Sequence, residues 1–334
     1  MGTDANGTPN GIGGVNGIDM NDDGTIDRLY AGDLQGNVFV FDISDPSASN
    51  WVLEKTLFQA SYTSSPLNPS PVQPITTRPT IVENDPSGGY IVIVGTGSFI
   101  TNQDATSVDI QSLYGLWDNP DGVNNNNSTI VHTDTFSELV EQEFTTSIVT
   151  VNQDGVDVEL EVRTITNNSF AYNDDASDPA RVRGWHIDFD IAPPGGTGIQ
   201  FPGERPVREL QLLSNQLFFN TVIPQDGTSC DPSAGGFGLS VDPITGGVDT
   251  EVIFDINFDG VFDLNDNILI STFSTVISGT RFKSAPSDST FIGNNRFTQL
   301  SDTTIDSIFV NPDLNSGGGL GAFLGRHSWK EIRQ

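Results

Sequence analysis

The chain has 334 residues, with 14 Lys+Arg against 44 Asp+Glu and a formal charge of −30. That balance excludes a nucleic-acid partner, which needs a basic stripe to neutralise phosphates, and it disfavours anionic membrane surfaces. Hydrophobic residues make up 35% of the total, with 21 Phe and 4 Trp, so there is material for a packed core and the chain is not an acidic disordered tail.

The one cysteine, Cys230, excludes a disulfide scaffold or a Cys-rich zinc or iron–sulfur site within the chain. No apolar stretch approaches the length of a membrane span. The opening, Met1–Gly17, has neither the basic nor the apolar region of a signal peptide. The abrupt start is that expected of a fragment of something longer, exported through a signal not present in the chain.

The 35 Gly and 19 Pro are spread along the whole chain, a pattern of many short strands joined by many turns. In chain order, an acidic turn at 19–27 leads into Arg28–Asp42, where two short runs flank a tight turn and Val38 and Val40 alternate with Phe39 and Phe41. The near-continuous apolar run Tyr90–Phe99, after the turn Asn84–Gly89, predicts a strand buried on both faces. Residues 101–183 read as an inserted region. Within it lie a strand at Ser112–Trp117 and a polar surface loop at Asn119–Thr129. Phe136, Leu139, Val140 and Phe144 stand at helical spacing, which predicts a short helix. A hairpin follows at Ser147–Val151 and Val156–Ile165, turned by Gln153-Asp154-Gly155. Further strands are predicted at Gly184–Asp190, Gln211–Pro224, Gly236–Asp242 and Asn267–Phe273, and the glycines of Gly317–Gly321 predict a flexible turn. Strand–turn–strand units with so little helix define an all-β fold: a sandwich, a barrel or, from the Ala31-Gly32-Asp33…Gly36-Asn37…Phe41-Asp42 unit, a propeller.

Two nine-residue stretches share the spacing Asp-x-Asn-x-Asp-Gly-x-x-Asp. The first holds Asp19, Asn21, Asp23, Gly24, Thr25 and Asp27; the second holds Asp255, Asn257, Asp259, Gly260, Val261 and Asp263. Oxygen ligands at positions 1, 3, 5 and 9, a backbone carbonyl at 7 (Thr25, Val261) and a glycine at the sharp turn make a calcium loop. In the second, Asp266 falls at position 12, where an EF-hand has its bidentate acid; in the first that position is Tyr30. Without a cation, two carboxylates about 5 Å apart repel by roughly 3 kcal/mol at an effective dielectric near 20. Neither stretch has the flanking helices of an EF-hand, so these read as isolated calcium loops on a β scaffold, against the alternative of ordinary solvated acidic turns.

Catalytic constellations are sparse. His132, His186 and His327 show no metal-ligand spacing, and no Gly-x-Ser-x-Gly elbow, His-Glu-x-x-His motif or Walker loop occurs. The acids around Cys230 raise a thiol pKa, which argues against a nucleophile.

The first calcium loop running into Arg28-x-Tyr30-Ala31-Gly32-Asp33-Leu34-x-Gly36-Asn37-x-x-x-Phe41-Asp42 resembles the C-terminal domain of PilY-type proteins, the type IV pilus assembly factors and tip-associated adhesins. The likeness recurs at Gly184-Trp185-x-Ile187-Asp188, Gly203-Glu204-Arg205, Phe218–Pro224, Cys230 with Gly235-Gly236, the second loop, and the ending Gly325-Arg326-x-Ser328-Trp329-Lys330-Glu331. The resemblance implies a modified β-propeller over 1–334, truncated at its N-terminal side, and a non-enzymatic role. It also implies Ca2+ at Asp19, Asn21, Asp23, Thr25 and Asp27, an extracellular, pilus-associated location, and partners among pilin or minor pilin subunits and host or abiotic surfaces. Two other readings stand beside it: a calcium-dependent quinoprotein dehydrogenase propeller, and a secreted β domain in which calcium is purely structural.

Overall fold

The computed structural model describes residues 10–62, 72–85, 87–120, 128–133, 136–153, 155–193, 195–224, 235–248, 251–270 and 273–311. Cys230, Gly317–Gly321, His327 and the ending Gly325–Glu331 lie outside them.

The chain begins with a meander, β1 (Ile12–Ile18), β2 (Arg28–Asp33), β3 (Asn37–Asp42) and β4 (Val52–Gln59), paired antiparallel in sequence order. The predicted tight turn joins β2 to β3, with Gly36 at φ 77°; a Cβ there would stand 2.7 Å from the Ala60 carbonyl oxygen, so only glycine fits.

Next come β5 (Thr80–Glu83), β6 (Tyr90–Gly95), β7 (Ser112–Asp118), the ribbon β8 (His132–Thr133) and β9 (Phe136–Ser137), and β10 (Leu139–Glu141). The long hairpin β11 (Phe144–Gln153) and β12 (Val156–Ile165) precedes β13 (Gly184–Asp188), β14 (Gln211–Leu213), β15 (Gln216–Asn220) and β16 (Gly236–Val241). The ribbon β17 (Ile268–Ile270) and β18 (Phe273–Thr275), then β19 (Gly279–Phe282), β20 (Pro286–Ile292), β21 (Asn295–Leu300) and β22 (Ile305–Phe309) complete the described strands.

Besides the two-stranded ribbons β8-β9 and β17-β18, the described strands form four larger sheets, arranged as the blades of a β-propeller: β1-β2-β3-β4, β10-β13-β7-β6-β5, β11-β12-β19-β16-β15-β14 and β20-β21-β22. Among the described residues helix is confined to three-residue 3-10 turns. Because side chains alternate across each strand, the two faces of a blade feed different cores. Val92 and Val94 of β6, with Tyr114 and Leu116 of β7, pack on Tyr30, Val38, Val40 and Phe58 of the first blade. Ile91 and Ile93 point the other way, into a core with Trp185, Ile187, Phe219, Phe237 and Leu239 that joins the second and third blades. The apolar run at Tyr90 is thus buried on both faces, as its sequence predicts. A third core, around Phe218, Phe254, Ile256 and Ile308, joins the third and fourth blades.

Four expectations need correction, the simplest being Asn267–Phe273, which is not one strand but β17 and the start of its antiparallel partner β18. The predicted helix is strand: Phe136 lies in β9, Leu139 and Val140 in β10 and Phe144 in β11. Its apolar residues share no face, since Leu139 and Phe144 enter different cores and Phe136 is exposed. The polar residues between them are the ones tied down. Glu138 and Gln142 are fully buried, the Gln142 amide N–H donates to the His186 carbonyl oxygen at 2.9 Å, and β10 pairs parallel with β13. Gln211–Pro224 is not one strand but the β14–β15 hairpin, turned at Ser214 with φ 51°. Nor is 101–183 set apart from the blades. It supplies β7 and β10 to the second and β11 and β12 to the third.

Candidate metal-binding loops

The two acidic loops occupy unrelated places. The first joins β1 to β2 and is exposed from Asn21 to Ile26. The second follows Phe254, which bridges to Val310, and its first acid, Asp255, is fully buried. Yet the backbone curls identically in both. The glycine N–H at position 6 donates to the carboxylate at position 1, Gly24 to Asp19 at 2.7 Å and Gly260 to Asp255 at 2.9 Å. Position 5 donates to the Asn side chain at position 3, at 2.9 Å for Asp23 to Asn21 and for Asp259 to Asn257. Position 7 donates to position 5, at 2.8 Å for Thr25 to Asp23 and for Val261 to Asp259. Positions 4 and 6 are left-handed in each: Asp22 at φ 58° and Gly24 at 90°, Phe258 at 62° and Gly260 at 79°. A run of Asx turns with glycine at its tightest point imposes this curl.

Closure differs. In the first loop Asp27, 7% exposed, accepts from the Met20 N–H at 2.9 Å and so ties position 9 to position 2. In the second loop Asp266 takes that role, accepting from the Ile256 and Asp263 N–H groups at 2.9 and 3.2 Å. Asp263 instead caps the 3-10 turn Leu264–Asp266, accepting from the Asn265 N–H at 2.7 Å.

The electrostatics differ as well. Hydrogen bonds from the Thr25 hydroxyl and N–H hold the Asp23 carboxyl below the usual range. Burial, reinforced by Asp255 nearby, pushes the Asp266 carboxyl up. Asp255 Oδ1 is buried without a hydrogen-bond partner. A carboxylate oxygen left so, beside a second buried acid, fits a cation. Among the described residues no three His, Cys, Asp or Glu side chains gather as a group that could hold a metal ion.

Sequence spacing gave no sign of one other cluster. His132 and His186 come from β8 and β13, with ring centroids 4.4 Å apart. His186 is buried, its Nδ1 3.6 Å from Asp188 Oδ1, beside a 230 Å³ cavity that Glu141, Glu143, Asp188 and Asp190 help to line. The 53 residues between the two histidines hide the contact from any motif.

Four blades packed through shared interblade cores, with oxygen-rich loops beside them, define a β-propeller with candidate cation loops. The chain is similar to PilY1-type β-propeller proteins. The model of the PilY1 beta-propeller domain matches residues 2–152. The type IV pilus biogenesis factor PilY1 of Pseudomonas aeruginosa (strain PAO1) is 28% identical over 99% of this chain, and a PilY1 homolog of Xylella fastidiosa is 29% identical over 97%. The chain spans 28% and 22% of those relatives' lengths. The crystal structure of the Pseudomonas aeruginosa PilY1 C-terminal domain superposes with a TM-score of 0.72 at 26% identity, over 93% of this chain and 63% of that one.

Proposed function

We propose that this chain is a calcium-binding, non-enzymatic propeller of a type IV pilus-associated protein at the cell surface, where it contacts pilin or minor pilin subunits and host or abiotic surfaces. Relatives named pilus biogenesis factors support the setting. The charge of −30 suits an extracellular medium, where salt screens charges beyond about 8 Å. The observation that carries the calcium reading is Asp255 Oδ1, buried and unpartnered at the start of a loop whose hydrogen-bonded curl recurs at Asp19.

Asp19, Asn21, Asp23 and the Thr25 carbonyl, with Asp27 behind them, are the donors of the first site. Asp255, Asn257, Asp259 and the Val261 carbonyl, with Asp263 and Asp266, are those of the second. The cation supplies a divalent charge that offsets carboxylate repulsion and stiffens the curl. The residues themselves fix the loop ends on their blades, through the Asp27 N–H on the Ile18 carbonyl oxygen at the end of β1 and the Asp255 N–H on the Phe309 carbonyl oxygen.

Cells carrying Asp23→Ala or Asp259→Ala, with the protein at wild-type level, are expected to lose the calcium dependence of pilus-driven surface motility in at least one variant. An unchanged calcium response in both contradicts regulation and leaves calcium, if bound, a structural role.

A further inference from the structure

The outer edge of the third blade is a strand without the usual protection. β11 ends its sheet, and among the described residues no strand pairs with its outer side. Natural edge strands are guarded by charges, prolines or bulges. β11 reads Phe-Thr-Thr-Ser-Ile-Val-Thr-Val-Asn-Gln, with no charge and no proline, in a chain of 44 acidic residues. It pairs with β12 over its whole length in unbroken register, Phe144 opposite Ile165 through Gln153 opposite Val156. Rich in β-branched residues, such an edge is either an aggregation hazard or a template for another strand.

The same edge faces a groove of about 750 Å³. Ser147–Asn152 form one side; Ile256, Asn257, Asn265, Asn267 and Ile268 form the other. Six residues at ~3.4 Å each give a length of ~20 Å, enough for one extended segment. Gln153 Nε2 donates to the Ile256 carbonyl oxygen at 3.0 Å, tying one end of β11 to the far wall. In that wall Asn267 Oδ1 is buried without a hydrogen-bond partner and can accept from an incoming backbone N–H.

The two faces of the hairpin set the chemistry of such a segment. Val149 and Val151 turn toward the third core, with Ile256 and Ile268. Ile148, 64% exposed, Thr150 and Asn152 turn the other way, and their cross-strand neighbours on β12 are Glu161, Glu159 and Asp157. An added strand therefore alternates between an apolar side and an acidic one.

We propose that the β11 edge binds an extended segment of another protein by strand addition, its apolar residues alternating with Lys or Arg. The metal is not required for this. A second copy of this chain fits worse, since pairing β11 with itself brings together two acidic faces and two chains of charge −30.

The test uses the whole chain and a fluorescent ten-residue peptide alternating Val and Lys, compared with a block peptide of the same composition. The alternating peptide is expected to bind about tenfold tighter than the block one, and the amides of Ser147–Asn152 to gain exchange protection only in its presence. Ile148→Lys, and separately Thr150→Lys, should weaken binding about tenfold with the fold unchanged, because each places a like charge on the edge. Absence of binding, or equal binding of the two peptides, or full affinity in both variants, overturns the proposal. Protection of β11 in the free chain together with a sedimenting dimer also overturns it and assigns the edge to a second copy.

Discussion

Asp118→Ala is expected to lower the unfolding free energy by about 3–5 kcal/mol, a large part of the roughly 5–15 kcal/mol that holds a domain together. Asp118 closes β7 and is fully buried where the second blade meets the first. Its Oδ2 accepts from Arg28 Nε at 2.9 Å and from the Tyr30 hydroxyl at 2.7 Å, while Lys55 Nζ stands 2.7 Å from Oδ1. Arg28 and Lys55 are themselves 5% and 8% exposed, so the alanine leaves two desolvated cations short of their counter-ion. Arg28 keeps Glu54, at 2.9 Å from its Nη2, which limits the loss on that side.

The same group sets an acid limit. Burial works to raise the Asp118 pKa, but Lys55 and Arg28 outweigh it and hold the carboxyl below the usual range. A depressed folded pKa contributes stability that is complete above the unfolded value, near 3.9, and is lost as pH falls through the folded one. Urea titrations at neutral and strongly acidic pH check both points. Wild type should lose this contribution in acid, and Asp118→Ala should lose less because it has already forfeited it. Equal acid sensitivity in the two proteins contradicts the assignment.

Arg163→Ala carries an expected loss of similar size, about 3–5 kcal/mol, with a further increment from the cavity left behind. Arg163, on β12, is fully buried and meets Glu204 side by side, Nη1 to Oε1 and Nη2 to Oε2, both at 2.7 Å. Its guanidinium lies 3.6 Å from the Phe237 ring centroid. Truncation strands Glu204, 1% exposed, with the Thr221 hydroxyl as its remaining side-chain partner. The informative control is the double variant Arg163→Met with Glu204→Met. Replacing both charges of a buried pair by apolar groups should recover most of the loss, whereas a purely steric role for Arg163 predicts no recovery. Arg163→Lys should fall between, since an ammonium cannot engage both carboxylate oxygens in parallel.

The fold was legible in sequence wherever one strand's pattern depends on its own residues. Tyr90–Gly95 announces burial on both faces because adjacent side chains enter different interblade cores. The β2–β3 and β11–β12 hairpins show because turn chemistry is local. What stayed hidden depends on distant partners. The 136–144 segment takes helical spacing by coincidence, and its pairing with β13 decides otherwise. The fourth blade, Pro286–Phe309, mixes Ser, Thr, Asn and Asp with few apolar residues, so its alternation is weak. The candidate site shows the same division. The curl of both acidic loops was readable, since spacing fixes the Asx turns. That Asp266 ties down the second loop, Asp27 the first, and Asp263 caps a 3-10 turn depends on the packing around each.

The calcium claim meets its most direct test in the thermal unfolding of wild type and Asp255→Asn, each in calcium and in EDTA. A calcium level about a hundredfold above the dissociation constant stabilises wild type by about 2.7 kcal/mol, a shift of several degrees in Tm. In EDTA the buried, unpartnered Asp255 oxygen is a liability that asparagine lessens by removing the charge, so the variant should melt at or above wild type. In calcium the order should invert, because the variant has lost a charged ligand. An inversion establishes the second loop as a cation site; the same order in both buffers, with no calcium shift in wild type, contradicts it.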